Sequence, residues 1–222
     1  MVRPKSFLER EDTGVAQAIE VAVGLVILLL LAWIGFNQPD QGVKNAVFSL
    51  SILGLLASVV WSVDLVSPKN RYTESIGFGR FKDFKVAAVA GIIFGFVFFV
   101  YAQGSPNALV VPFSVSFAGL AVLAAFVEEL SFRSVIIPSL ARLSMNFKQI
   151  RAYGDYIGIV LGSVLFGVFH YLAYGASTQL MIIAFVFSIV MVAGNTVFKS
   201  TAFGYAAHPL YNALVLGVIV FG

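Results

Sequence analysis

Long apolar runs separated by short polar segments constrain this chain more than any other feature of its sequence. Crossing a bilayer takes about 20 mostly apolar residues, and seven segments reach or approach that length. Backbone groups inside lipid must be hydrogen-bonded within their own segment, which predicts helices. Residues 1–222 are therefore predicted to form one all-α integral membrane domain, a polytopic bundle of about seven transmembrane helices. The segments are 15–36, 45–66, 86–101, 108–127 with a cytoplasmic helical extension, 156–174, 179–198 and 202–222.

Composition excludes the other broad classes of protein. Hydrophobic residues make up 59% of the 222 residues and charged residues 11%, against about 45–50% and about 25% in soluble domains. Soluble, disordered, secreted-scaffold and nucleic-acid-binding proteins are therefore excluded. The sequence has no cysteine, which rules out disulfides, thiolate metal sites and a cysteine nucleophile. The apolar run that begins near residue 15 is too long for the core of a signal peptide.

The basic residues predict the orientation of the bundle. Of the 14 lysines and arginines, Lys44 alone falls on the opposite side of the predicted membrane from the others. Cytoplasmic loops carry the excess of basic residues, so the N-terminus is predicted to be cytoplasmic and the C-terminus external. The cytoplasmic set is Arg3, Lys5, Arg10, Lys69, Arg71, Arg80, Lys82, Lys85, Arg133, Arg142, Lys148, Arg151 and Lys199.

Three charged residues lie at the cytoplasmic end of the fourth segment. Glu129 and Arg133 are four residues apart with the acid first, the favourable order for an ion pair on a helix. Glu128 points about 100° away from Glu129 on an α-helix, which leaves it to meet another helix. The simpler interpretation is that all three are interfacial charges at a helix end, as we expect for Glu20 and Asp64 near the ends of earlier segments.

Both histidines of the chain, His170 and His208, lie in predicted spans. Asn212 follows His208 by four residues, so the two share a helix face. Each histidine could be a hydrogen-bonded packing residue, but together with Glu128 they indicate a polar site in an apolar chain. His170 lies deeper than the others if its helix begins at 156, and level with them if it begins near Arg151. The predicted site is a cavity that opens to the cytoplasm.

These residue types favour hydrolysis. A carboxylate with a nearby histidine can activate water, and a second histidine with an amide can donate hydrogen bonds to an oxyanion. A zinc site of Glu128, His170 and His208 stays open, since both residue types bind zinc, although the spacing does not require one. A non-catalytic immunity or scaffold protein of the membrane and a proton-coupled transporter are the alternative functions.

Three motifs occur in order on separate spans and together resemble one family. They are Glu-Glu-x-x-x-Arg at 128–133, Phe-x-x-x-His at 166–170 and His-x-x-x-Asn at 208–212. This pattern resembles the CPBP family (CAAX protease and bacteriocin-processing, also called Abi) of intramembrane glutamate proteases, which is related to the CAAX prenyl endopeptidases. The similarity extends over 126–213, within a family-like core of about 108–222.

The resemblance implies a role for each motif residue. Glu128 would be the general base on water, helped by His170, and His208 and Asn212 would stabilise the oxyanion. Glu129 and Arg133 would support them, with no metal or other cofactor. The implied substrate is a membrane-associated peptide or a prenylated protein, cleaved in a cavity that faces the cytoplasm.

Overall fold

The computed structural model describes residues 14–66, 81–103, 115–174 and 178–221. Within these ranges all regular structure is helical and there is no strand, so the predicted all-α class is confirmed. The α-helices are α1 (Gly14–Phe36), α2 (Gln41–Val66), α3 (Phe81–Gln103), α4 (Val115–Glu128), α5 (Ile137–Met145), α6 (Gly154–Tyr174), α7 (Thr178–Val197) and α8 (Ala202–Phe221).

Each predicted apolar segment coincides with a helix, and two of these helices start four or five residues earlier than predicted. The α2 helix begins at Gln41 rather than at 45, because the side chain of Asp40 accepts a hydrogen bond from the N–H of Val43 at 2.9 Å and caps the first turn. The α3 helix begins at Phe81 rather than at 86. The start of the fourth segment, at 108–114, lies outside the described residues.

Four helices in the described part of the chain are long and apolar enough to cross a membrane. They are Gln41–Val60, Asp83–Val100, Arg151–Leu172 and Thr178–Val197, and α1 adds a shorter apolar stretch, Ala22–Phe36. Their outer faces carry exposed apolar side chains, such as Trp33 at 69% and Leu172 at 74%. Such surfaces suit lipid rather than water, as expected of an integral membrane protein. The full count of seven spans stays a prediction.

The charged motif lies on a π-helix, which the sequence did not predict. Residues Glu129–Ile136 form this wider helix between α4 and α5, and the N–H of Ile137 bonds to the carbonyl of Phe132, five residues back. Pro138 lacks the N–H that an α-helix would donate to Ser134, which favours the wider turn. Such segments occur often at functional sites. The angle of about 100° predicted between Glu128 and Glu129 assumed an α-helix, but the α-helix ends at Glu128.

Close helix contacts fix the elements that carry the motifs. Gly91 and Gly95 of α3 lie against the backbone of α8 at Phe203 and Ala207, and Gly158 of α6 lies against Ala141 of α5. Small residues allow such approaches between membrane helices. The α8 helix, which carries the third motif, is thereby seated against α3.

The predicted orientation can be tested by placing a single cysteine in this cysteine-free chain. We expect Gln41→Cys, in the loop predicted to be external, to react with a membrane-impermeant thiol reagent in intact cells. We expect Gln149→Cys, in the loop predicted to be cytoplasmic, to react only after the membrane is made permeable. Both positions are exposed and neither change alters a charge. Labelling of Gln149→Cys in intact cells would contradict the orientation.

Candidate active site

Three of the predicted residues meet in the interior of the bundle. Glu128 is the last residue of α4, and its Oε2 atom lies 3.7 Å from Nε2 of His170 on α6 and 3.7 Å from Nε2 of His208 on α8. Both distances are longer than a normal hydrogen bond. A water molecule can bridge polar atoms at this separation. The carboxylate and His208 are buried, while the side chain of His170 is 22% exposed.

The Nδ1 atoms of the two histidines have different partners. Nδ1 of His170 lies 2.9 Å from the backbone carbonyl of Phe166, and Nδ1 of His208 lies 2.9 Å from Oε1 of Glu129. A carbonyl or carboxylate oxygen can only accept, so we infer that both Nδ1 atoms carry hydrogen and donate. Each ring therefore turns Nε2 towards Glu128, and the Nδ1 partner fixes its orientation.

Glu129 has two partners, only one of which the spacing predicted. Its Oε1 atom lies 3.4 Å from Nη2 of Arg133, the predicted ion pair, and both side chains are 1% exposed. The same oxygen accepts the bond from His208, 79 residues away in sequence. The guanidinium of Arg133 lies 4.1 Å above the ring of Phe166. Arg133, Glu129 and His208 thus form one buried chain of polar groups.

Asn212 occupies the turn of α8 that follows His208, as its spacing predicts. Its Nδ2 atom donates to the backbone carbonyl of Ala121 at 3.0 Å, which is about two turns before Glu128 on α4. The amide therefore links α8 to α4. The structure joins Glu128, His170 and His208 around one oxygen, whereas it ties Asn212 to α4 about two turns before Glu128.

Aromatic side chains surround the polar groups. Phe166 is fully buried, with its ring centroid 4.4 Å from that of His170 and 5.0 Å from that of Phe132. Phe187 of α7 lies 5.0 Å from the ring of His208 and 5.9 Å from that of Tyr211. Phe187 could not be predicted from the sequence, because one phenylalanine in an apolar span carries no distinguishing signal. These rings give the polar groups an apolar surround.

Two further features of the described residues bear on ligands. No group of three or more histidine, aspartate or glutamate side chains among them has the geometry to hold a metal ion. An apolar cavity of about 230 Å³ lies between α1, α3, α4 and α8. Its walls include Phe126 and Tyr205, which precede Glu128 and His208 by two and three residues.

Glu128, His170 and His208 thus form a buried polar site inside an apolar helical bundle. Residues 110–214, just under half of the chain, match the model of a family described as type II CAAX prenyl endopeptidase Rce1-like. This segment contains all three motifs, and the match confirms the resemblance to the CPBP family. It indicates an intramembrane protease of the CAAX type. Neither the curated proteins nor the solved structures give a match.

Proposed function

We propose that this protein is an intramembrane endopeptidase that hydrolyses a peptide bond with a water molecule held by Glu128 and His170. The observation that carries the proposal is the approach of one carboxylate oxygen to two imidazole nitrogens, each at 3.7 Å, inside an apolar bundle. Buried carboxylates and histidines are costly in a membrane and mark functional sites there. The family match over 110–214 supports the same class of reaction.

The proposed reaction begins with the water between Glu128 and His170. One hydrogen of the water bonds to the carboxylate and the other to Nε2 of His170, which leaves an oxygen lone pair for attack on the substrate carbonyl. Glu128 takes the proton as the new C–O bond forms. When the tetrahedral intermediate collapses, the C–N bond breaks and Glu128 returns the proton to the leaving amine. The carboxylate is thereby regenerated.

The partners of the two rings support different roles for the histidines. His170 is anchored on a neutral carbonyl, and as a neutral imidazole it presents an Nε2 acceptor to water. His208 can present an Nε2–H only as an imidazolium, and the carboxylate of Glu129 lies beside it as the counter-ion. In this proposal His208 donates to the oxyanion, which stabilises the charge that develops in the transition state. Arg133 pairs with the same oxygen of Glu129.

Asn212 is proposed as the second oxyanion donor. An amide NH₂ group has two hydrogens, and the bond to the carbonyl of Ala121 uses one of them. Asn212 shares a face of α8 with His208, and the second hydrogen of its amide is the one proposed for the oxyanion. The bond to α4 would hold the amide in place before the substrate binds, so that little reorganisation accompanies the reaction.

The proposed substrate is a membrane-associated peptide or protein with a prenylated C-terminus. The family description supports a prenyl endopeptidase, and the apolar cavity beside Phe126 and Tyr205 is suited to an apolar group of the substrate. The active-site cavity would face the cytoplasm, as the basic residues predict. The domain would be single, with the catalytic core at about 108–222.

The proposal can be tested with purified protein in liposomes. A peptide with a prenylated C-terminal CAAX sequence and the same peptide without the prenyl group are incubated with the protein, and the products are identified by mass spectrometry. We expect the prenylated peptide to be cut internally and the other to be cut more slowly. Equal cleavage of both would exclude prenyl recognition, and cleavage of neither would contradict the proposed substrate class.

A further inference from the structure

The first turn of α8 is held by a residue of the preceding helix. The backbone N–H of Gly204 donates to Oδ1 of Asn195, near the end of α7, at 2.9 Å. A first-turn N–H has no acceptor within its own helix, so Asn195 supplies the hydrogen bond that the residue just before α8 would ordinarily provide. Asn195 is 2% exposed, and the bond is buried. Asn195 therefore ties the start of α8 to α7.

The same turn of α8 lies against the carboxylate of Glu129. A Cβ atom placed on Gly204 would clash with Oε2 of Glu129 and would lie 3.4 Å from Nδ2 of Asn195. The carboxylate of Glu129 thus occupies the space that a side chain at position 204 would need. Its other oxygen, Oε1, accepts the hydrogen bond from His208. Any displacement of the carboxylate by a side chain at 204 would disturb that bond.

Gly204 and His208 are four residues apart, so they lie on the same face of α8. Glu129 contacts this face at both points, with Oε2 against Gly204 and Oε1 against Nδ1 of His208. The position of the helix start relative to the carboxylate therefore determines how His208 is held.

We propose that Asn195 and Gly204 are positioning residues that hold the carboxylate of Glu129 against Nδ1 of His208. Asn195 fixes the first turn of α8, and the missing side chain of Gly204 leaves room for Oε2. Neither residue touches the reacting atoms. Their effect on catalysis rests on the proposed function, in which His208 takes part. Their effect on the position of the His208 ring is independent of that function.

The ring of His208 can be observed directly, because the chain has two histidines. In protein labelled with ¹⁵N-histidine, NMR resolves the two imidazoles, and the His170→Gln variant assigns the signal of His208. We expect Gly204→Ala to shift or abolish the signal of the His208 Nδ1–H while that of His170 stays in place. We also expect kcat to fall, by up to about 10²-fold as for a misplaced catalytic group, with KM within about twofold.

Two variants separate positioning from packing. Gly158→Ala also forces a Cβ against a neighbouring helix, at Ala141 of α5, and we expect it to lower thermal stability without moving the His208 signal. Asn195→Ala adds no atoms, so it tests the same proposal if Gly204→Ala does not fold, and we expect it to change the same signal.

An unchanged His208 signal in the folded Asn195→Ala or Gly204→Ala protein would overturn the inference. A change equal to that caused by Gly158→Ala would overturn it as well. If the signal moves as expected but wild-type protein cleaves no peptide, the positioning role stands and the proposed function fails.

Discussion

Glu128→Gln is expected to lower kcat for peptide cleavage by about 10²–10⁴-fold, the range that a general base contributes. Glutamine keeps the shape of the side chain and can still hydrogen-bond to water, but it cannot take the proton. KM should change little, because the interaction is made mainly in the transition state. The measurement is the rate of product formation in liposomes at saturating substrate.

Asp40→Asn is the matched control for this change. It is also a carboxylate-to-amide substitution, but Asp40 caps α2 at an exposed position, and asparagine caps helices about as well as aspartate. We expect its kcat to equal that of the wild type. A Glu128→Gln protein that is folded and retains a wild-type rate would exclude Glu128 as the base.

His208→Ala is expected to lower kcat by about 10²–10³-fold, the typical loss when one oxyanion donor is removed. The variant deletes the proposed Nε2–H donor and leaves Glu129 paired with Arg133 alone. Cleavage kinetics and thermal unfolding should be measured together, so that loss of the donor is distinguished from loss of the fold.

Combining His208→Ala with Glu128→Gln tests whether the two residues act in one step. Residues that act as a unit give strongly non-additive losses, so we expect the double variant to be nearly as active as the weaker single variant. Losses that multiply would place the two residues in independent roles. A wild-type kcat for His208→Ala alone would remove it from the oxyanion site.

Much of the helical framework could be predicted from the sequence, because it follows from local properties. Apolar runs with polar breaks located seven of the helices, and the four-residue spacing placed Glu129 with Arg133 and His208 with Asn212 on shared faces. His170 lies close to Glu128, and the chain is already helical at Arg151, which is the start that the sequence required for the two to be level; their depth in the membrane stays a prediction.

The contacts that could not be predicted are long-range or depend on unusual backbone. The π-helix at 129–136 depends on packing as well as on Pro138, and no hydrophobic period marks it. The bond between Glu129 and His208 joins residues 79 positions apart, and one sequence contains no signal for such a pair. The role of Asn195 could not be predicted either, because in sequence it is one polar residue near the end of a span, and its bond to Gly204 depends on how α7 and α8 pack.

The most direct test of the central claim, that Glu128 and His170 activate a water molecule for attack on a peptide bond, is a single-turnover cleavage in H₂¹⁸O. The product with the new C-terminus is analysed by mass spectrometry after one turnover. If water attacks the substrate directly, we expect one ¹⁸O atom in the new carboxyl group of every product molecule. Product that carries only ¹⁶O in the first turnover would show that an oxygen of the protein attacked instead, and would contradict the account.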